Sequence, residues 1–162
     1  MFSSLFNIFQ FIVIISIDKN NVLMDNFNDP YDYDKAFEQY LNLYKQIVRA
    51  GALVYLLPSE GNYQDQVYVA NLGAYLPHMD NTILLSNFKS PPRVGEEFVG
   101  EKLFTSMGYR TIKCPYHWEG EADLKYVRNN IYIAPWGQRT SIESHQWMRD
   151  NLDMNVISVQ LK

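Results

Sequence analysis

Val54-Tyr55-Leu56-Leu57-Pro58 is an apolar run entered from a glycine, Gly51, that ends a helical pattern over residues 37–48, and Asp65 follows it. The same order recurs at Thr111-Ile112-Lys113-Cys114-Pro115, after a helical pattern over residues 98–107 and a stop at Gly108, with Asp123 downstream. A third, related copy runs through a helical pattern over residues 142–152 into Val156-Ile157-Ser158-Val159. Recurrence at this spacing predicts supersecondary units that cannot bury their apolar faces alone and must stack or arrange radially. The units fall at about residues 1–58, 59–115 and 116–162 of one domain.

Each unit reads as strand, strand, helix, strand. Phe37, Tyr40, Leu41, Tyr44, Ile47 and Val48 follow the spacing of an apolar helical stripe, while Lys35, Glu38, Gln39 and Lys45 occupy the other side. Thr140-Ser141-Ile142-Glu143 has capping-box spacing and predicts a helix start in which the Thr140 hydroxyl serves the first turn. Strand pairs are expected between Val67-Tyr68-Val69 and Thr82-Ile83-Leu84-Leu85, and between residues 124–127 and 130–133 through a tight turn at Arg128-Asn129.

Composition narrows the function classes. At 162 residues, 47% hydrophobic and 20% charged, with 12 tyrosines and 9 phenylalanines, the chain is long and apolar enough for a core. A net charge of -4 with scattered Lys and Arg provides no basic field, which argues against nucleic acid. A single cysteine, Cys114, excludes an intrachain disulfide and fits a reducing, cytoplasmic setting. The apolar segment over residues 5–17 has no basic leader or small-residue cleavage site and is shorter than the roughly 20 residues of a membrane span. Its β-branched run Phe11-Ile12-Val13-Ile14-Ile15 reads as a buried strand, with no membrane partner.

Four blocks occur in order: Asp65-Gln66-Val67-Tyr68-Val69-Ala70-Asn71-Leu72-Gly73, Pro92-Arg93-Val94-Gly95-Glu96, Trp118-Glu119-Gly120-Glu121-Ala122-Asp123-Leu124 and Gly137-Gln138-Arg139-Thr140. Together they resemble the guanidino-group-modifying enzymes, which include dimethylarginine dimethylaminohydrolases, arginine deiminases and amidinotransferases. The resemblance covers most of the chain from residue 21 onward. It implies an α/β fold, an incomplete pentein-like α/β propeller with about three of five modules, and a site in its central channel.

Carried over residue by residue, the resemblance makes Asp65 and Asn71 contacts to a substrate guanidinium, with Asn71 standing where many relatives have Asp. Glu119 takes the place of the channel carboxylate that hydrogen-bonds the substrate and polarises its central carbon. Arg93 and Arg139 would hold the substrate carboxylate, and Asp123 either joins the site or fixes a turn. These residue types suit the chemistry, since a planar guanidinium with five donors calls for a fork of acceptors. No cofactor or metal is implied.

A guanidinium is a poor electrophile, so attack on it requires a thiolate and an acid that protonates the departing nitrogen. In the relatives that histidine and cysteine come late, and the resemblance places both beyond Lys162. The chain is therefore expected to be inactive alone: part of a hydrolase or amidinotransferase for arginine-like substrates, a non-catalytic binder of them, or a remnant or interaction protein without a ligand. Cys114 lies on an apolar strand and reads as a packing residue. His117 could join Cys114 and Glu121 in a metal site, but Cys-x-x-His lacks a second ligand pair. His78 and His145 read as ordinary core or surface histidines. Asp65 and Asp123 also suit turns, and Arg93 and Arg139 also suit surface salt bridges. An incomplete ring leaves apolar edges open, which predicts a companion polypeptide or self-association.

Overall fold

The computed structural model describes residues 10–13, 32–57, 60, 63 and 65–161. They fall into two compact units, 1–69 and 70–162. In the first, β1 (Gln10–Val13) and β2 (Leu53–Leu56) pair in parallel, and α1 (Tyr33–Arg49) is the crossover between them. Asp32 caps α1 by accepting from the Lys35 amide at 3.0 Å. A parallel pair needs such a long connection, which is why the helix lies between the strands in sequence. Of the predicted strand over residues 11–15, residues 11–13 are strand, while 14 and 15 lie outside the described residues, as do Tyr31 and Pro58.

The second unit builds the same crossover twice. β3 (Gly73–Tyr75), β4 (Thr82–Leu85) and β5 (Arg110–Lys113) form one sheet, antiparallel then parallel, with α2 (Glu96–Ser106) between β4 and β5. β6 (Lys125–Arg128), β7 (Ile131–Trp136) and β8 (Asn155–Gln160) repeat that order, with α3 (Ile142–Leu152) between β7 and β8. The strand, strand, helix, strand reading therefore holds for these two. The described strands form three separate sheets, none of them closed.

Helix termini and hairpin corners set the frame. Gly51, Gly108 and Asp153 each follow a helix with φ of 87°, 86° and 50°, and each leads within two residues into the next strand. The Arg110 amide donates to Asn81 O at 2.8 Å and the Asn155 amide to Asn130 O at 2.8 Å. The Asn81 and Asn130 side-chain amides reach the carbonyls of Gly108 and Asp153, at 2.5 and 2.8 Å. Two corners of different sequence thus use one solution.

Two sequence expectations are corrected. Residues 67–69 do not form the strand that pairs with β4. Val67 and Tyr68 are exposed on a turn, and the pairing strand is β3, where Leu72, Ala74 and Leu76 alternate into the core. Gly73 permits it, because a Cβ there would lie 2.7 Å from Leu84 O. Thr140 is not a cap either. Ser141 occupies the N-cap of α3, and the buried Thr140 hydroxyl instead donates to Asp123 Oδ2 at 2.5 Å. The ionisable carboxyl of Asp123 is a strong acceptor for that hydroxyl, and the bond fixes the Thr140 side chain on the segment before β6.

The core of the second unit brings together Ala74, Leu76, Leu84 and Cys114 with Trp118, Tyr132, Met148 and Leu152. Trp118 is fully buried and its indole donates to Leu85 O at 2.9 Å, tying the segment before β6 to β4. No helix among the described residues is long and apolar enough to cross a membrane.

Candidate active site

Glu119 lies just before a short 3-10 turn, Gly120–Ala122, and is fully buried. Gly120 has φ +62°, and a Cβ on it would meet Ala70 O at 2.5 Å, so this turn is pressed against the backbone that carries Asn71. The Asn71 side-chain amide donates to Glu119 O at 3.1 Å, and the Ser86 hydroxyl donates to Asn71 O. Residues 71, 86 and 119, distant in sequence, are locked as one piece.

Two guanidinium groups meet the Glu119 carboxylate. Arg139 Nη1 donates to Oε2 at 3.1 Å, and Arg93 Nη1 lies 3.7 Å from the same oxygen. Their environments differ. Arg93 is buried over the Phe88 ring at 4.4 Å and held by Glu96, with its Nε 3.1 Å from both carboxylate oxygens and Nη2 2.7 Å from Oε2. Arg139 keeps 57% of its side chain exposed. The charges thus alternate along Glu96, Arg93, Glu119 and Arg139, so each buried carboxylate has a guanidinium beside it.

Of the residues singled out in the sequence, the structure brings Asn71, Arg93, Glu119 and Arg139 together, with Asp123 on the adjoining segment through Thr140. Asp123, Arg139 and Thr140 also line a small cavity with Trp136, Gly137 and Leu161. Asp65 belongs to the first unit, on a turn with φ 60° whose carbonyl accepts from the Tyr68 amide at 2.9 Å. Glu96 was missed in the sequence, although Arg93-x-x-Glu96 at a helix start is a readable pairing signal.

The nucleophile and acid candidates are spent on structure. Cys114 is 2% exposed, and burial pushes its thiol up to about 11 against a weaker opposing pull from a hydrogen bond to the Tyr116 backbone. His78 bonds the Tyr132 hydroxyl and Leu152 O, each at 2.8 Å. His145 is fully buried beside Ser158 Oγ at 2.9 Å, and desolvation, helped by the Arg149 charge, lowers it to about 4. His117 is exposed while Cys114 is buried, and no three His, Cys, Asp or Glu among the described residues are grouped to hold a metal.

The chain is similar in sequence and fold to known proteins. It is 32% identical over 131 residues to the bifunctional arginine dihydrolase/ornithine cyclodeaminase AgrE of Nostoc sp., covering 79% of this chain and 18% of that protein. It is 30% identical over 132 residues to the dimethylarginine dimethylaminohydrolase of Mycobacterium tuberculosis, covering 82% and 42%. Among solved structures, the N-terminal domain of ArgZ bound to product, an arginine dihydrolase from Cyanobacteria, superposes with a TM-score of 0.79 at 25% identity over 94% of this chain and 57% of that one. No family model matches the sequence. The chain is an α/β relative of the guanidino-group-modifying enzymes. Its relatives of known activity are arginine dihydrolases and a dimethylarginine dimethylaminohydrolase, and it spans less than half the length of those curated proteins.

Proposed function

We propose that this chain is the guanidinium-recognising part of a hydrolase for arginine-like substrates, built on about three of the five units of an α/β propeller. The observation that carries the reading is the contact between Arg139 and Glu119: a half-exposed guanidinium rests on a fully buried carboxylate, with a second guanidinium behind it. That carboxylate is therefore an acceptor suited to a planar cation.

An arginine-like ligand would put its own guanidinium where that of Arg139 now lies. Arg139, long and largely solvated, would then turn to the ligand's carboxylate, while Arg93 stays on Glu96 as the inner counter-charge and adds to the field on that carboxylate. Asn71 spends its amide on Glu119 O, leaving its carbonyl oxygen as an acceptor for the ligand. Asp123 and Thr140 hold the segment that carries Arg139. The resemblance assigns Asp65 a guanidinium contact as well, and Asp65→Ala tests that assignment separately.

Turnover needs more than recognition. A thiolate must attack the guanidinium carbon, a C–S bond forming as a C–N bond breaks, and the departing amine must take a proton; water then releases the amidino group from sulfur. Cys114, buried and shifted upward, is a poor thiolate and does not suit that attack. The purified chain incubated with L-arginine and methylated arginines is expected to form no citrulline by itself. Citrulline formation above a Cys114→Ala control would contradict this, and would identify the thiol that had been recruited.

A further inference from the structure

The guanidinium of Arg139 rests on Glu119, so the chain already offers this carboxylate the same chemical group that a ligand would bring. The two arginines here are held differently. Arg93 meets Glu96 through Nε and Nη2 and lies over the Phe88 ring, contacts that do not depend on Arg139. Arg139 reaches Glu119 Oε2 through Nη1, at 3.1 Å, from the end of a long side chain. The backbone around it is fixed on both sides: the Lys89 ammonium donates to Gln138 O at 3.1 Å, the Gly137 amide to Thr140 O at 2.9 Å, the Thr140 hydroxyl to Asp123 at 2.5 Å and the Ser141 amide to His117 O at 2.9 Å. Arg139 therefore changes partners by side-chain rotation, between staggered rotamers, without moving its loop.

Given Glu119 as the guanidinium acceptor, on which this rests, we propose that Arg139 is an internal competitor for that position and that its displacement selects guanidines carrying a carboxylate. An incoming guanidinium must first part Arg139 from Glu119, so its apparent affinity is reduced in proportion to the fraction of chains in which the position is open. A ligand with a carboxylate gives the displaced guanidinium a new partner, one it can meet with two parallel hydrogen bonds. A ligand without one leaves it with water. One side chain thus opposes small guanidinium ions and favours amino acids, the combination of repulsive and attractive elements from which specificity is built. Glu119 keeps a counter-charge throughout the exchange, because Arg93 Nη1 lies 3.7 Å from the same oxygen and is held there by Glu96.

Isothermal titration of the full chain with methylguanidine and with L-arginine tests this on the wild type and Arg139→Ala. Methylguanidine is expected to bind the variant about threefold more tightly than wild type and L-arginine about threefold more weakly, the scale of a solvated ion pair, so the preference for arginine falls roughly tenfold. A crystal structure of the wild type with methylguanidine is expected to show the ligand on Glu119 and Arg139 turned away from it, which repulsion at a distance would not produce. Methylguanidine affinity that Arg139→Ala leaves unchanged or weakens, or Arg139 still on Glu119 in the liganded crystal, would overturn the proposal. Methylguanidine binding that Glu119→Gln leaves unchanged would overturn the acceptor reading itself, and this proposal with it. Should Arg139→Ala lose the wild-type circular dichroism spectrum, Arg139→Met, uncharged and of similar length, replaces it with the same outcomes.

Discussion

Glu119 and Arg139 meet at 3.1 Å across a boundary of solvation, the carboxylate fully buried and the guanidinium side chain 57% exposed. A pair of this kind divides its roles. The buried partner carries the energetic consequence of any change, because an unpaired charge without water is costly, whereas the solvated partner can leave at little cost.

Arg139→Ala is therefore expected to leave the thermal midpoint within a few degrees of wild type, while Arg93→Ala destabilises the fold by about 3–5 kcal/mol, the usual result of stripping one member from a buried ion pair. Urea melts of both variants check the contrast. Equal losses would mean that Arg139 is more than a surface partner of Glu119.

Stability should depend on pH through His145. Its imidazole is held near 4 in the folded chain, below the ordinary value near 6.5, so the unfolded state binds the extra proton between those limits. The contribution is complete above pH 6.5 and is lost as pH falls toward 4, at most about 3 kcal/mol by linkage. Urea midpoints at pH 7.5, 5.5 and 4.5 should fall in that order, and His145→Asn should flatten the slope between the first two.

Gly120→Ala should disturb the site more than Gly108→Ala. Both glycines have positive φ, but the added methyl at 120 would lie 2.5 Å from Ala70 O, whereas nothing lies within 4 Å of one at 108. The second change is expected to cost about 1 kcal/mol from backbone strain alone. The first should cost more and should also weaken arginine binding by shifting Glu119 away from Asn71.

Cys114 should resist thiol reagents in the folded chain. It is 2% exposed and raised to about 11, so at pH 8 little thiolate is present and little of it is reachable. Ellman's reagent should report no fast reaction in buffer and one thiol per chain in denaturant. Rapid reaction of the native chain would remove the packing role.

Much of the fold was legible because helix ends are written locally. The boundaries of α3 follow from residues 142–152 alone, and Gly51 and Gly108 mark the other stops. The misread strand at 67–69 shows the limit: Val67 and Tyr68 have strand propensity, yet Gly73 wins the pairing because only it tolerates the approach of Leu84 O. Thr140 likewise carries a capping pattern that a distant carboxylate, Asp123, overrides. Ordered blocks singled out Asn71, Arg93, Glu119 and Arg139, which the fold does bring together, but the alternation of the charged three with Glu96 is a tertiary fact: burial fixes which charges share a carboxylate, and no local spacing encodes burial.

The central claim is that the Glu119 carboxylate is an acceptor for a ligand's guanidinium. Isothermal titration of the full chain with L-arginine, and with citrulline as the uncharged isostere, tests it most directly. Arginine is expected to bind, citrulline to bind at least tenfold more weakly, and Glu119→Gln to abolish the difference. Equal affinity for the two ligands, or an arginine isotherm that the Glu119→Gln variant leaves unchanged, would contradict the account.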